Sequence, residues 1–197
     1  MRAAPWTATL IIAVFVLSCT RANDDGDSNN EAAAAAIYER AALMYQTKAQ
    51  HVDARRLLER AATQGHAEAQ SMLATMHMKG EGGLAADKEA AITWFRKAAA
   101  QGVKHAQYNL GLVHYHGAGG IAVDKAKAAE WYELAVLQEH EFAQLKLGRM
   151  YRDGEGGLAV DLEKASELIG KAHSTFEKKK EAKRQQILKK RARTKEL

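Results

Sequence analysis

Histidines are the side chains in this sequence whose type and spacing come closest to a metal site. His114 and His116 stand two residues apart in "HYH", and His77 lies 37 residues before His114. A zinc site needs three or four convergent ligands, commonly with thiolate or carboxylate help, and the sequence shows no such group around these positions. We therefore predict that His77 and His114 are packed side chains, that His116 faces a groove or solvent, and that no metal is bound.

Catalytic and nucleotide-binding motifs are the next chemistry to test. The glycine-rich stretches "GEGG", "GAGG" and "GEGG" begin at Gly80, Gly117 and Gly154. A phosphate-binding loop follows a strand, opens a helix and carries Gly-Lys-Ser/Thr, whereas these glycines follow predicted helices and lack that sequence. The Ser-x-x-Lys arrangement of serine acyl enzymes is also absent. We expect no cofactor, and we predict that the protein is not an enzyme.

The one cysteine stands at the end of an apolar N-terminal segment, "MRAAPWTATLIIAVFVLSC". An arginine followed by a short uncharged run is typical of an export signal, so residues 1–19 are predicted to be a signal peptide. "VLSC" resembles the lipobox of bacterial lipoproteins, although Leu17 departs from the small residue usual there. We predict lipidation at Cys19 and a membrane anchor through its acyl chains; a plain cleaved signal or a retained anchor are the alternatives. Residues 20–30 are polar and acidic and predict a flexible linker.

The positive charge is concentrated at the C-terminus. Residues 171–197 contain eleven Lys or Arg and three Asp or Glu, whereas residues 1–170 contain 18 and 21. A basic helical or disordered tail, residues 173–197, favours contact with anionic lipid or an acidic protein surface. The alternative is a solvated end without a partner. We expect no nucleic-acid partner.

Three units repeat every 37 residues and form the framework that positions these side chains. They are predicted at 65–101, 102–138 and 139–172, in a sequence rich in helix-forming residues with one proline. Each unit reads as a first helix ending at a glycine, a tight loop, and a second helix capped by an aspartate. One such pair cannot bury its apolar faces alone, so neighbouring pairs must stack.

A degenerate unit is predicted upstream, at residues 31–64. Aligning Tyr45 with His77 makes this unit five residues shorter than the period, which fits the absence of a glycine loop. We predict that it is the N-terminal cap of the array.

The repeated segment "AQYNLGLVHYHGAGGIAVDKAKAAEWYELAV" resembles the Sel-1-like repeat, a relative of the tetratricopeptide repeat. The resemblance is strong over 65–172 and weak over 32–64. It implies an all-α fold, a right-handed α-solenoid of antiparallel helix pairs, whose concave face holds proteins or peptides. Some cysteine-rich relatives are implicated in β-lactam chemistry, but their paired cysteines are absent here.

The resemblance also implies a binding face on the first helix of each unit. Asn109 matches the asparagine that bonds a ligand backbone in peptide-holding relatives. Aromatic residues beside cations suit an extended peptide with acidic groups or a free carboxylate, and Arg149→Glu with Arg152→Glu is expected to abolish binding. The predicted binding residues are Tyr108, Asn109, Leu112, Tyr115, His116, Lys146, Arg149 and Arg152.

Together these features predict an adaptor of the bacterial envelope, exported and lipid-anchored on the periplasmic face of a membrane. A secreted or periplasmic binder with a regulatory or host-contact role is the first alternative. An enzyme acting on cell-wall material or β-lactams is the second.

Overall fold

The computed structural model describes residues 30–47 and 50–195, with side chains described as far as residue 189. The signal peptide, Cys19 and most of the linker therefore lie outside the described residues. The described helices are α1 (30–45), α2 (His51–Thr63), α3 (Ala67–Lys79), α4 (Lys88–Ala100), α5 (Lys104–His116), α6 (Lys125–Leu137), α7 (Glu141–Asp153) and α8 (Leu162–Lys195).

Consecutive helices pair, and each pair stacks on the next one. The odd-numbered helices line one side of the stack, because side chains of α1, α3 and α5 share one cleft and the Tyr108 ring of α5 contacts the Phe142 ring of α7. We call the surface formed by α1, α3, α5 and α7 the odd-helix face. The predicted all-α solenoid of antiparallel helix pairs is confirmed.

The aspartate cap has the same geometry in the three glycine-loop units, whereas the helix-ending glycine is left-handed at Gly80 and Gly154 but has a ψ of 120° at Gly117. Gly80 ends α3 with φ 69°, a left-handed conformation that glycine adopts without strain. The Asp87 N–H donates to the His77 carbonyl at 2.8 Å, and the Asp87 carboxylate accepts from the Ala90 N–H at 2.9 Å. Asp124 and Asp161 repeat both bonds, to His114 and Tyr151 and to Lys127 and Lys164. The predicted caps are confirmed.

The core consists of three clusters, each lying between successive helix pairs. One leucine per unit is buried at an equivalent place, at Leu73, Leu110 and Leu147. Of the aromatic pair on α4, Phe95 is fully buried and Trp94 is half-buried. The fully buried Tyr132 takes the place of Phe95 in the next unit, and its ring lies against Gly111.

Helix α8 begins in the third unit and continues without a break through the basic tail. Its first half packs on α7, where the Phe176 and Phe142 ring centroids are 5.2 Å apart and Lys179 forms an ion pair with Glu141. Residues 177–189 are exposed along the whole helix surface. None of the helices in the described part of the chain combines the length and apolarity needed to cross a membrane.

Candidate functional site

Tyr115 and Lys146 come together on the odd-helix face, as two of the predicted binding residues. The Tyr115 hydroxyl donates to Glu155 Oε2 at 2.6 Å, and Lys125 Nζ donates to Glu155 Oε1 at 2.6 Å. Lys146 Nζ lies 5.6 Å from the centre of the Tyr115 ring, within cation–π range. The hydrogen bond to Glu155 raises the pKa of Tyr115, and the bonds from Lys125 and Tyr115 lower the pKa of Glu155. The ring is thus held in place beside a cation.

Lys146 and Arg149 are two cations of this face that have no carboxylate partner among the described residues. Neither forms a hydrogen bond or ion pair with any residue in the described ranges, and Arg149 is exposed. Arg152 instead pairs with the adjacent Asp153 at 2.8 Å. His116 is exposed, with its ring edge-to-face to Tyr115 at 4.9 Å.

The remaining predicted residues have structural roles. Tyr108 stacks on His140 at a centroid distance of 4.7 Å, and Leu112 packs against the core cluster that contains Tyr132. The Asn109 amide donates to the His105 carbonyl of its own helix at 2.8 Å. The predicted set is therefore divided between an aromatic and cationic part around Tyr115 and a structural part.

A pair of histidines joins α5 to α7. His140 is 1% exposed; its Nδ1 accepts from the Ala143 N–H, and its Nε2 lies 2.9 Å from His105 Nδ1. Because Nδ1 accepts, the ring proton is on Nε2 and is donated to His105. Burial, and then the neighbouring His105, lower the pKa of His140 to about 4, so the pair is neutral at pH 7. Within the described ranges no three His, Cys, Asp or Glu side chains group as metal ligands.

Two contacts between neighbouring odd helices recur at the two ends of the face. In the first, a tyrosine ring stacks on the histidine that begins the next odd helix, and the pairs are Tyr38 with His66 and Tyr108 with His140, at 4.6 and 4.7 Å. In the second, a tyrosine hydroxyl donates to the glutamate of the following glycine loop, and the pairs are Tyr45 with Glu81 and Tyr115 with Glu155.

These contacts correct the predicted alignment of the first unit. Tyr45 takes the place of Tyr115, one residue away from the place of His77 to which the sequence alignment assigned it. The spacing from Tyr45 to its counterpart Met78 is 33 residues, so the unit is four residues shorter than the period and not five. The alignment failed because it matched a short apolar run, whereas the contacts to the next unit fix which side of α1 faces α3.

The middle interface of the face lacks both contacts, and a cleft opens there. Ser71 stands where the flanking interfaces have a stacking tyrosine, and Val103 stands where they have the histidine. Both residues line a cleft of about 240 Å³, and Val103 supplies no side-chain cap to α5. The remaining lining residues are Tyr38, Tyr45, Glu68, Met72, Thr75, Lys79 and His105. Sequence reasoning missed this cleft, although the break in the tyrosine–histidine pattern was its signal.

Comparison with protein families identifies the repeat. The model described as Sel1 repeat matches residues 34–66, 67–103, 104–140 and 142–172. The first and second matches begin 33 residues apart, the second and third 37, and the third and fourth 38, so the first unit is four residues shorter than the second, in agreement with the corrected alignment. The comparison with curated proteins gave no match.

Several solved structures resemble the chain, and two of them are Sel1-type repeat proteins. A Sel1 repeat protein from Oxalobacter formigenes is 25% identical with a TM-score of 0.64, over 72% of this chain and 58% of the other. A protective antigen of uropathogenic Escherichia coli strains, which displays an SLR fold, is 33% identical with a TM-score of 0.63, over 72% of this chain and 30% of the other. The chain therefore spans less than two thirds of the length of either protein.

Proposed function

This chain belongs to the Sel1 repeat family, and from that premise we propose that it is a non-enzymatic scaffold that binds a protein or peptide on its odd-helix face. Sel1 repeat proteins generally mediate protein–protein interaction, and the fold is typically a non-catalytic scaffold. The observation that carries the proposal is the cationic site of half-buried Lys146 and exposed Arg149 beside the fixed ring of Tyr115.

The chemistry of this site favours an acidic segment of the partner. A guanidinium can bind a carboxylate through two parallel hydrogen bonds. Arg149 forms no ion pair within the described residues, because the nearby Asp153 pairs with Arg152. Tyr115 contributes a rigid aromatic surface, since Glu155 and Lys125 hold it in one orientation. Asp or Glu side chains, or a free C-terminal carboxylate, are the groups that match this arrangement.

A site-specific photo-cross-linker at His116, which is exposed beside Tyr115 on the face, tests this function. We expect it to capture a defined partner, identified by mass spectrometry, and to lose it in the Lys146→Glu/Arg149→Glu variant. The matched control is Arg96→Glu/Lys97→Glu, which makes the same charge change on α4. Equal capture by both variants, or equal capture from a cross-linker at Thr93 of α4, would contradict the proposal.

We further propose that the protein is exported and lipid-anchored at Cys19 on the periplasmic face of a bacterial membrane. The support is the arrangement of the first nineteen residues, which lie outside the described residues. Intact-mass measurement of the mature N-terminus should show the added mass of acyl chains on the cysteine. An unmodified mature N-terminus would exclude the anchor.

One observation favours a second candidate, a secreted binder that contacts a host. It is the 33% identity with a protein described as a protective antigen of a pathogen, although this chain spans only 30% of that protein. The same mass measurement separates the two candidates, because a secreted binder carries no lipid.

The exposed basic part of α8 is a second surface that we propose for an anionic partner, either lipid or acidic protein. Each Lys or Arg close to an anionic membrane contributes at most about 1 kcal/mol, so binding must depend on several of them and must weaken with salt. Vesicles containing phosphatidylglycerol should sediment the protein at low salt and release it at high salt. Salt-independent sedimentation would contradict this role.

A further inference from the structure

The cleft between α1, α3 and α5 lies where the repeat omits its own aromatic side chain. At the two flanking interfaces of the odd-helix face, a tyrosine ring packs on a histidine. At the middle interface Ser71 and Val103 replace them, and the space remains open as a cleft of about 240 Å³. Its largely apolar lining with a few polar groups is typical of a ligand site.

The repeat period places this cleft in line with the cationic site. Met72 and Thr75 line the cleft on α3, and Lys146 and Arg149 are their equivalents two units later on α7. A segment that crosses the odd helices at constant height would therefore pass from the cleft to the two cations. Between them it would meet Asn109 and Leu112, which hold the same positions on α5.

We infer that the cleft binds an aromatic side chain of the same acidic segment whose carboxylates meet Lys146 and Arg149. The aromatic ring takes the place of the tyrosine that the repeat omits at Ser71, between the ring of Tyr38 and the side chain of Val103. This inference rests on the proposed function, since it describes the segment bound on the same face.

The geometry also fixes the spacing within that segment. Packed helices lie about 8–10 Å apart, so two steps across the odd helices cover about 16–20 Å. An extended chain advances about 3.3 Å per residue. The aromatic residue and the acidic residues are therefore about five or six positions apart.

Selection of a phage library of random dodecapeptides on the full chain tests this spacing. We expect enriched peptides that combine Phe, Tyr or Trp with Asp or Glu five or six positions away. Ser71→Tyr restores the missing ring and should weaken the selected peptides about tenfold or more, the effect of losing one buried side chain. Ser166→Tyr, the same change at an exposed position of α8, should leave their affinity unchanged.

A second pair of variants keeps the test decisive if circular dichroism shows that Ser71→Tyr is unfolded. Thr75 and Thr93 both donate to the carbonyl four residues earlier at 3.0 Å, but only Thr75 lines the cleft. Thr75→Trp should weaken binding about tenfold, and Thr93→Trp should not.

The outcomes separate this inference from the function on which it rests. Acidic peptides without an aromatic residue, unaffected by the cleft variants but lost in Lys146→Glu/Arg149→Glu, would overturn the cleft and leave the function intact. Failure to select any peptide sensitive to Lys146→Glu/Arg149→Glu would overturn both.

Discussion

Gly111→Ala is expected to destabilise the protein, although the same substitution in a helix interior normally stabilises it. In a helix interior, alanine is normally more stable than glycine by about 1 kcal/mol. A Cβ at position 111, however, would lie 2.4 Å from Cε1 of Tyr132, and that side chain is fully buried. The ring must shift, and the cost of overpacking a core is typically about 1–3 kcal/mol. With a contact this short we take the upper value, which gives a net loss of about 2 kcal/mol.

Two other helical glycines provide matched controls for the same change. A Cβ at Gly148 would lie 2.9 Å from Cγ1 of Ile169 and 3.1 Å from the Ala165 carbonyl, while a Cβ at Gly170 would meet nothing within 4 Å. Gly148→Ala should therefore change stability by less than about 1 kcal/mol, because a small shift of Ile169 relieves much of the contact. Gly170→Ala should gain up to about 1 kcal/mol.

Urea denaturation followed by circular dichroism at 222 nm measures all three variants on one scale. The expected order of stability is Gly170→Ala above wild type, Gly148→Ala near it, and Gly111→Ala lowest. A Gly111→Ala protein as stable as wild type, beside a stabilised Gly170→Ala protein, would refute the claim that Tyr132 requires a glycine on α5.

Three further predictions concern buried and paired polar groups. Tyr132→Phe should raise the unfolding free energy by about 1 kcal/mol in urea denaturation, since the Tyr132 hydroxyl is buried and has no hydrogen-bond partner among the described residues; a loss of stability would contradict this. The folded-state pKa of His140 is about 4, below the ordinary 6.5. The contribution of His140 to the free energy of unfolding is therefore complete above pH 6.5, and up to about 3 kcal/mol is lost as the pH falls towards 4. His140→Asn keeps a capping side chain and should flatten this pH dependence, and an unchanged pH profile would count against the assignment. Glu155→Ala should cost about 1–2 kcal/mol through its bonds to Tyr115 and Lys125, while Glu163→Ala, at an exposed site on α8, should cost almost nothing.

The fold could be predicted because each glycine-loop unit repeats the residues that end and cap its helices, and few other residue types fit at those positions. A glycine that ends a helix and an aspartate seven residues later, such as Gly80 and Asp87, fix the loop whatever the partner. The period then dictates the stacking. The relative burial of the two aromatic residues on α4 could not be predicted, because Trp94 and Phe95 lie on adjacent faces and only the angle between helix pairs decides which one is enclosed.

The candidate site was predicted less completely, for a different physical reason. Positions such as Lys146 and Tyr115 were assigned to one face from the repeat alone, and the structure places them in contact. The role of Tyr108 was not visible, because it depends on a contact with His140 of the next unit, and the sequence alone does not show which side chains of neighbouring units meet. The cleft at Ser71 is likewise a missing side chain, which becomes apparent only when its neighbours are seen to make the contact that it lacks.

The division between constant and variable positions explains how such an array can acquire a specific partner. The leucines at 73, 110 and 147 are buried at every unit, and changing one would leave a cavity in the core. The positions occupied by Met72, Asn109 and Lys146 recur at the same height on the odd-helix face, yet their side chains are apolar, neutral polar and cationic in turn. Since packing does not require one residue type there, the residues at these half-buried positions can vary without loss of the fold. Stability does not explain why this face changes from an apolar cleft at one end to cations without a carboxylate partner at the other. Recognition of a partner explains it better.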